Sequence, residues 1–178
     1  MYQRIRLGLG AAVFAAILAL VPLLSAGAAA PRLAGTYQTN LTIAYAKNVV
    51  NVKAGDHAVR PWTFNPLCTR GGCLTVLYRP SIAPGSTTVY AYTLKPVSAT
   101  QYKGSIKPAL VACFFSNGTQ VAKAYTNHQT LVLIVTKAAG GKVLHYSGTV
   151  HTLNLPTAVG KARGCNPRRA TSDLQGLG

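Results

Sequence analysis

Asp56 and Asp173 are the only acidic side chains in the 178 residues, glutamate is absent, and His57, His128, His145 and His151 are the only histidines. A hydrolytic triad needs a nucleophile, a base and an orienting acid. Asp56 and His57 are adjacent, so in an extended chain they point to opposite faces. No G-x-S-x-G elbow is present. A carboxylate pair for glycoside hydrolysis would require Asp56 and Asp173 to meet, and two acids do not make an oxygen cage for calcium or magnesium. His145 and His151 fall on one face of a strand but roughly 20 Å apart, too far to share an ion. Phosphate-loop, dinucleotide, haem-attachment and zinc-protease motifs are missing. The composition points to a non-catalytic protein with no metal and no cofactor.

The four cysteines, Cys68, Cys73, Cys113 and Cys165, could hold zinc or form disulfides. A zinc knuckle wants two close pairs, and only C-T-R-G-G-C supplies one. Two disulfides are expected, Cys68–Cys73 across that short turn and Cys113–Cys165 across a long loop. With all four cysteines paired, no thiol nucleophile is left.

Tyr37, Trp62, Tyr90, Tyr92, Tyr102 and Tyr146 fall in expected strands. Facing inward, they would line a cavity with apolar walls and hydroxyl handles, which suits a small hydrophobic ligand. The alternative is that the rings simply fill the interior, since small barrels occur both filled and liganded. Arg79, at a strand end, is placed to stack on Trp62 as a structural cation–π contact.

Charge is the other conspicuous property. The 18 Lys and Arg residues give a formal net charge of +16, and all but Arg4 and Arg6 lie beyond residue 30. Such a field attracts polyanions, whether anionic wall polymers or lipid headgroups. No nucleic-acid recognition motif accompanies it, so specific nucleic-acid binding is not expected.

The elements that must position these residues read as strands from Gly35 onward, with no helix. Tyr37, Thr39, Leu41, Ile43 and Tyr45 alternate with polar residues on a first strand. Trp62 and Phe64, then Leu74, Val76 and Tyr78, then Tyr90, Tyr92 and Leu94, then Tyr102, Gly104 and Ile106 define inward faces of four more. Segments 110–115, 121–125, 131–135 and 143–153 complete about nine strands. Turn residues separate them at 54–57, 83–86, 116–119 and 139–142, with Asn117-Gly118 a type I′ hairpin signal. Tyr102-Lys103-Gly104-Ser105 and Tyr146-Ser147-Gly148-Thr149 share the pattern Y-x-G-[ST], and glycines inside strands mark sharp bends or close backbone approach. A string of short hairpins hides its edges by closing into an antiparallel up-and-down β-barrel, with a β-sandwich as the alternative. The polar, glycine-rich tail from Gly160 is expected to be pinned by Cys165 and frayed over 171–178.

Residues 1–30 join a basic start (Arg4, Arg6), an uncharged apolar run and a small-residue end, Ala26-Gly27-Ala28. This is the pattern of a cleaved secretory signal peptide, an uncleaved membrane anchor being the alternative. Residues 31–178 would then form the secreted domain, in a compartment where disulfides persist.

Trp62 to Arg79 (W-T-F-N-P-L-C-T-R-G-G-C-L-T-V-L-Y-R) resembles the core motif W-x-F-x-P-x-C-x-x-G-x-C of a family of small secreted β-barrel proteins of actinobacteria. The resemblance implies a lipocalin-like layout, with Gly35-Thr36-Tyr37 in the place of a lipocalin G-x-W. It implies a fold and an extracellular address, and no reaction. The expected role is a secreted binding barrel for a small hydrophobic ligand; the alternative is a cell-surface protein contacting an anionic wall polymer or membrane through its basic exterior. Oligomeric state is not legible.

Overall fold

The computed structural model describes residues 31–70, 72–80 and 88–178. The targeting segment expected at 1–30 and the turn expected at 83–86 lie outside the described residues. Among the described residues nine strands follow one another: β1 (Gly35–Lys47), β2 (His57–Thr69), β3 (Gly72–Pro80), β4 (Val89–Pro96), β5 (Gln101–Ile106), β6 (Ala109–Phe114), β7 (Gln120–Ala139), β8 (Lys142–Pro156) and β9 (Arg168–Leu177). A five-residue helix, α1 (Ala158–Ala162), stands between the last two.

Every pairing between these strands is antiparallel, and the order β5-β4-β3-β2-β1-β9-β8-β7 closes through β5–β7 into an eight-stranded barrel. β6 is the additional strand. It continues the direction of β5 after a break at Lys107-Pro108, where proline has no N–H for the ladder. β7 pairs with β5 through Thr130–Ile134 and with β6 through Gln120–Asn127. The β6–β7 ribbon therefore projects beyond the barrel wall. Its base carries a separate small core of Cys113, Ala124, Tyr125 and Cys165. The main core fills the barrel and includes Tyr37, Trp62, Phe64, Leu77, Tyr92, Leu94, Leu131, Leu133 and Tyr146.

The barrel and both disulfides agree with the sequence reading. Cys68–Cys73 clips the β2–β3 hairpin, and Cys113–Cys165 ties β6 to the segment after α1. The inward faces expected on β1, β2, β4 and β5 are the buried ones, except that Tyr45, beyond a register shift after Ile43 on β1, is exposed.

Other expectations are corrected. On β3 the inward residues are Thr75, Leu77 and Arg79, while Leu74 and Tyr78 are exposed. The cross-strand pairs Phe64–Leu77 and Leu77–Tyr92 fix this, because both partners of Leu77 point inward. Segments 121–125 and 131–135 belong to one 20-residue strand, β7. Residues 171–177 are not frayed: they belong to β9, which pairs with β1 on one side and β8 on the other. α1 is a helix where none was expected; Thr157 caps it, its Oγ1 accepting from Gly160 N. At Asn117-Gly118 the positive φ is confined to Gly118 (83°), and Gly118 N donates to Phe115 O. That is not the type I′ geometry, which needs positive φ at both central residues.

The two ends of the barrel differ. At one, the segment preceding β1 closes the opening: Leu33 is fully buried, and Arg32 pairs through its backbone with Gly141 and Val143. This is the plugged end. The other end is where β1, β3 and β5 finish and β2, β4 and β9 begin. Arg79 lies there, and the β6–β7 ribbon projects from it.

Candidate functional site

The interior is built in two parts. Toward the plugged end, aromatic rings pack on one another. Tyr37 meets Phe64 edge-on at 5.3 Å between centroids and Tyr146 at 5.4 Å. Phe64 meets Tyr146 at 5.6 Å, and Trp62 stacks on Tyr146 at 6.5 Å. Their hydroxyls are satisfied inside the protein, as buried phenols require. Tyr37 Oη donates to Val143 O at 2.6 Å, and Tyr146 Oη lies 2.5 Å from Thr39 Oγ1. Tyr102 Oη donates to Pro31 O, which ties β5 to the plug. Burial pushes the phenols of Tyr37, Tyr102 and Tyr146 above the usual tyrosine value. The structure thus brings Tyr37, Trp62 and Tyr146 together as packed core.

Toward the open end the interior turns polar, around Arg79. The side chain is buried, with 5% of its surface exposed. Its Nε and Nη2 donate to Tyr92 Oη at 3.1 and 3.0 Å, and Nη2 donates to Gln129 Oε1 at 2.6 Å. Tyr92 Oη donates in turn to Gln129 Oε1. The guanidinium carbon lies 4.8 Å from the Tyr90 ring centroid, 5.5 Å from Tyr92 and 5.7 Å from Trp62. The expected contact with Trp62 is therefore present, as one of three. Burial raises the Tyr92 phenol above its usual value, and the charge of Arg79 opposes that shift.

No carboxylate side chain accompanies this cation. Asp56 sits in the β1–β2 turn, accepting from Lys53 N, and Asp173 is exposed on β9. A buried cation without a partner charge is costly; here one phenol, one amide oxygen and three ring faces offset that cost. Buried polar atoms without a hydrogen-bond partner are also present. Trp62 Nε1, Asn127 Oδ1 and Asn154 Oδ1 are buried and unpaired among the described residues. Asn127 and Asn154 are cross-strand partners at the open end. Such orphaned groups are unusual in protein interiors.

Sequence reasoning found Arg79, Tyr90, Tyr92 and Trp62 but missed Gln129, Asn127 and Asn154. The signal was there. Tyr125, Asn127, Gln129, Leu131 and Leu133 share one face at period two, so a strand read on apolar residues alone stopped short of its polar inward half.

Gly104 and Gly148 are close-approach positions, as the repeated pattern suggested. A Cβ at Gly104 would lie 2.3 Å from Thr93 O, and one at Gly148 would lie 2.2 Å from Val132 O. The histidines do not converge: among the described residues no three His, Cys, Asp or Glu are grouped to hold a metal ion. His151 Nδ1 is instead 3.2 Å from Thr171 Oγ1.

Among the described residues, open clefts of about 340 and 120 Å³ lie outside the barrel core. The larger is bounded by Tyr45, Lys47 and Arg169, the smaller by Tyr125, Cys165 and Arg168. None of the six aromatic residues proposed for ligand contact lines either. No protein-family model, curated protein or solved structure matches the chain. The site is read from its own chemistry.

Proposed function

We propose that the chain is a secreted, non-catalytic binding barrel that holds a small, largely apolar molecule by an anionic head group at its open end. The observation that carries this reading is Arg79, a buried guanidinium with no carboxylate partner. Its hydrogen bonds use Nε and Nη2, while a guanidinium has five donors in all. Trp62 Nε1 adds an unused donor close to it. An oxyanion placed there would meet both. Tyr90, half-buried over the guanidinium, supplies an apolar wall for the body of the ligand. Secretion is supported by the signal-like sequence of residues 1–30 and by the two disulfides, which persist outside the cytosol.

Native mass spectrometry of the secreted protein from its own host tests for an endogenous occupant. Titration with a medium-chain carboxylate, its methyl ester and the matching primary amine tests the head-group chemistry. The carboxylate is expected to bind at least about tenfold more tightly than the ester, the range of a hydrogen bond to a charged group. Arg79→Met should abolish that preference. A bare native mass together with no binding of the carboxylate, or a preference unchanged in Arg79→Met, would overturn the reading.

A further inference from the structure

We infer that the open end of the barrel docks on an anionic lipid surface, through the unit formed by the β6–β7 ribbon, the end of β8 and α1. The inference does not depend on what the barrel holds.

The unit has two surface properties that rarely coincide. The first is exposed apolar side chains. Leu110, Phe114, Leu155 and Val159 are 56%, 48%, 43% and 54% exposed. Leu110 and Leu155 flank Thr126 on a single rung, Leu110 through β6 and Leu155 through β8, so they stand on one face of the sheet. The unit already has its own core, around Cys113 and Cys165. The four side chains are left over after that core is made. Single exposed apolar residues need no explanation, but a group of them on one small unit does.

The second property is charge without compensation. Segments 107–127 and 155–170 contain Lys107, Lys123, Lys161, Arg163, Arg168 and Arg169 and no acid. Lys107 precedes the strand bearing Leu110 and Phe114. Lys161 and Arg163 follow Val159 on and after α1. Cations are thus interleaved with apolar groups.

That mixture selects the partner. A second copy of the chain would bring like charges together. A soluble polyanion would use the cations and leave the apolar side chains in water. A lipid surface with anionic headgroups uses both, the apolar groups entering the headgroup–acyl boundary and the cations pairing with phosphate. The disulfide Cys113–Cys165 and the stacking of Arg168 on Tyr125 at 4.8 Å hold the unit in one shape for this purpose.

The test is flotation of the full secreted chain with vesicles of phosphatidylcholine alone or mixed with phosphatidylglycerol. Three variants of preserved circular dichroism are compared. One is Leu110→Ser/Leu155→Ser/Val159→Ser. The second is Lys107→Gln/Lys123→Gln/Lys161→Gln/Arg163→Gln. The third removes the same charge at the plugged end, Arg32→Gln/Lys95→Gln/Lys137→Gln/Lys142→Gln. The wild type is expected to float with the anionic vesicles and not with phosphatidylcholine. The first two variants should lose affinity about tenfold or more, and the third less than about threefold. Equal loss in the second and third variants would show a diffuse charge effect and overturn the inference. Unchanged binding by the first variant, or no flotation of the wild type with anionic vesicles, would overturn it as well.

Discussion

Tyr146 occupies the space that Gly176 leaves empty. The two are cross-strand partners on β8 and β9, and a Cβ at position 176 would lie 2.1 Å from Cζ of the tyrosine ring. The ring lies over the backbone of β9, and its hydroxyl reaches Thr39 on the far side of that strand. Gly176→Ala is expected to destabilise the protein by about 2 to 3 kcal/mol, the cost of overpacking a filled core. In a Tyr146→Val background the same substitution should cost markedly less. Urea unfolding of the two single variants and the double variant gives the coupling; additivity within about 0.5 kcal/mol would contradict the contact.

Gly104 and Gly148 meet backbone as well as a leucine side chain, and backbone cannot rotate away. Their Cβ atoms would sit 2.3 and 2.2 Å from carbonyl oxygens of neighbouring strands. Gly104→Ala and Gly148→Ala should each cost about 3 kcal/mol or fail to accumulate. Gly118→Ala, at a turn with φ +83° and open space, should cost only about 1 kcal/mol. A thermal-shift ranking that placed Gly118→Ala as the most damaging would contradict this account.

These glycines also mark what the sequence made legible. Gly104 and Gly148 stood out because each followed a tyrosine in a repeated pattern, and barrel curvature gives both the same task. Gly176 did not, because β9 carries only one large buried apolar residue, Leu174, among small and polar neighbours. A closing strand opposite Tyr146 must be small, so the feature that admits the ring also removes the hydrophobic signal. The face of β3 was misread for a related reason. Leu74, Val76 and Tyr78 are more apolar than Thr75, Leu77 and Arg79, yet the latter point inward because Arg79 finds Tyr92 and Gln129 there. Local periodicity ranks faces by hydrophobicity, whereas the partners that reward a buried arginine lie on other strands.

The disulfides should differ in weight. Cys113–Cys165 closes a separation of 52 residues and Cys68–Cys73 one of 5. On the chain-entropy estimate they contribute about 4 and about 2 kcal/mol. The Cys113→Ala/Cys165→Ala variant should therefore show the larger fall in urea midpoint, and with it loss of the packing of Tyr125 between Cys113 Sγ and the Arg168 guanidinium. Equal midpoints for this variant and the wild type would refute the assignment.

Alkaline pH should unfold the barrel cooperatively. Burial raises Tyr37, Tyr92, Tyr102 and Tyr146 above the ordinary tyrosine value of 10.0. The unfolded chain therefore gives up these protons at lower pH than the folded one. Stability from the four phenols is complete below pH 10.0 and is lost as pH rises past that value toward their folded-state values. Tyrosinate absorbance from these four phenols should rise together with the loss of native circular dichroism. Tyr146→Phe should lessen that rise and, through loss of the bond to Thr39, cost about 1 kcal/mol at neutral pH. Titration of these four phenols near pH 10.0 in a folded protein would sink this prediction.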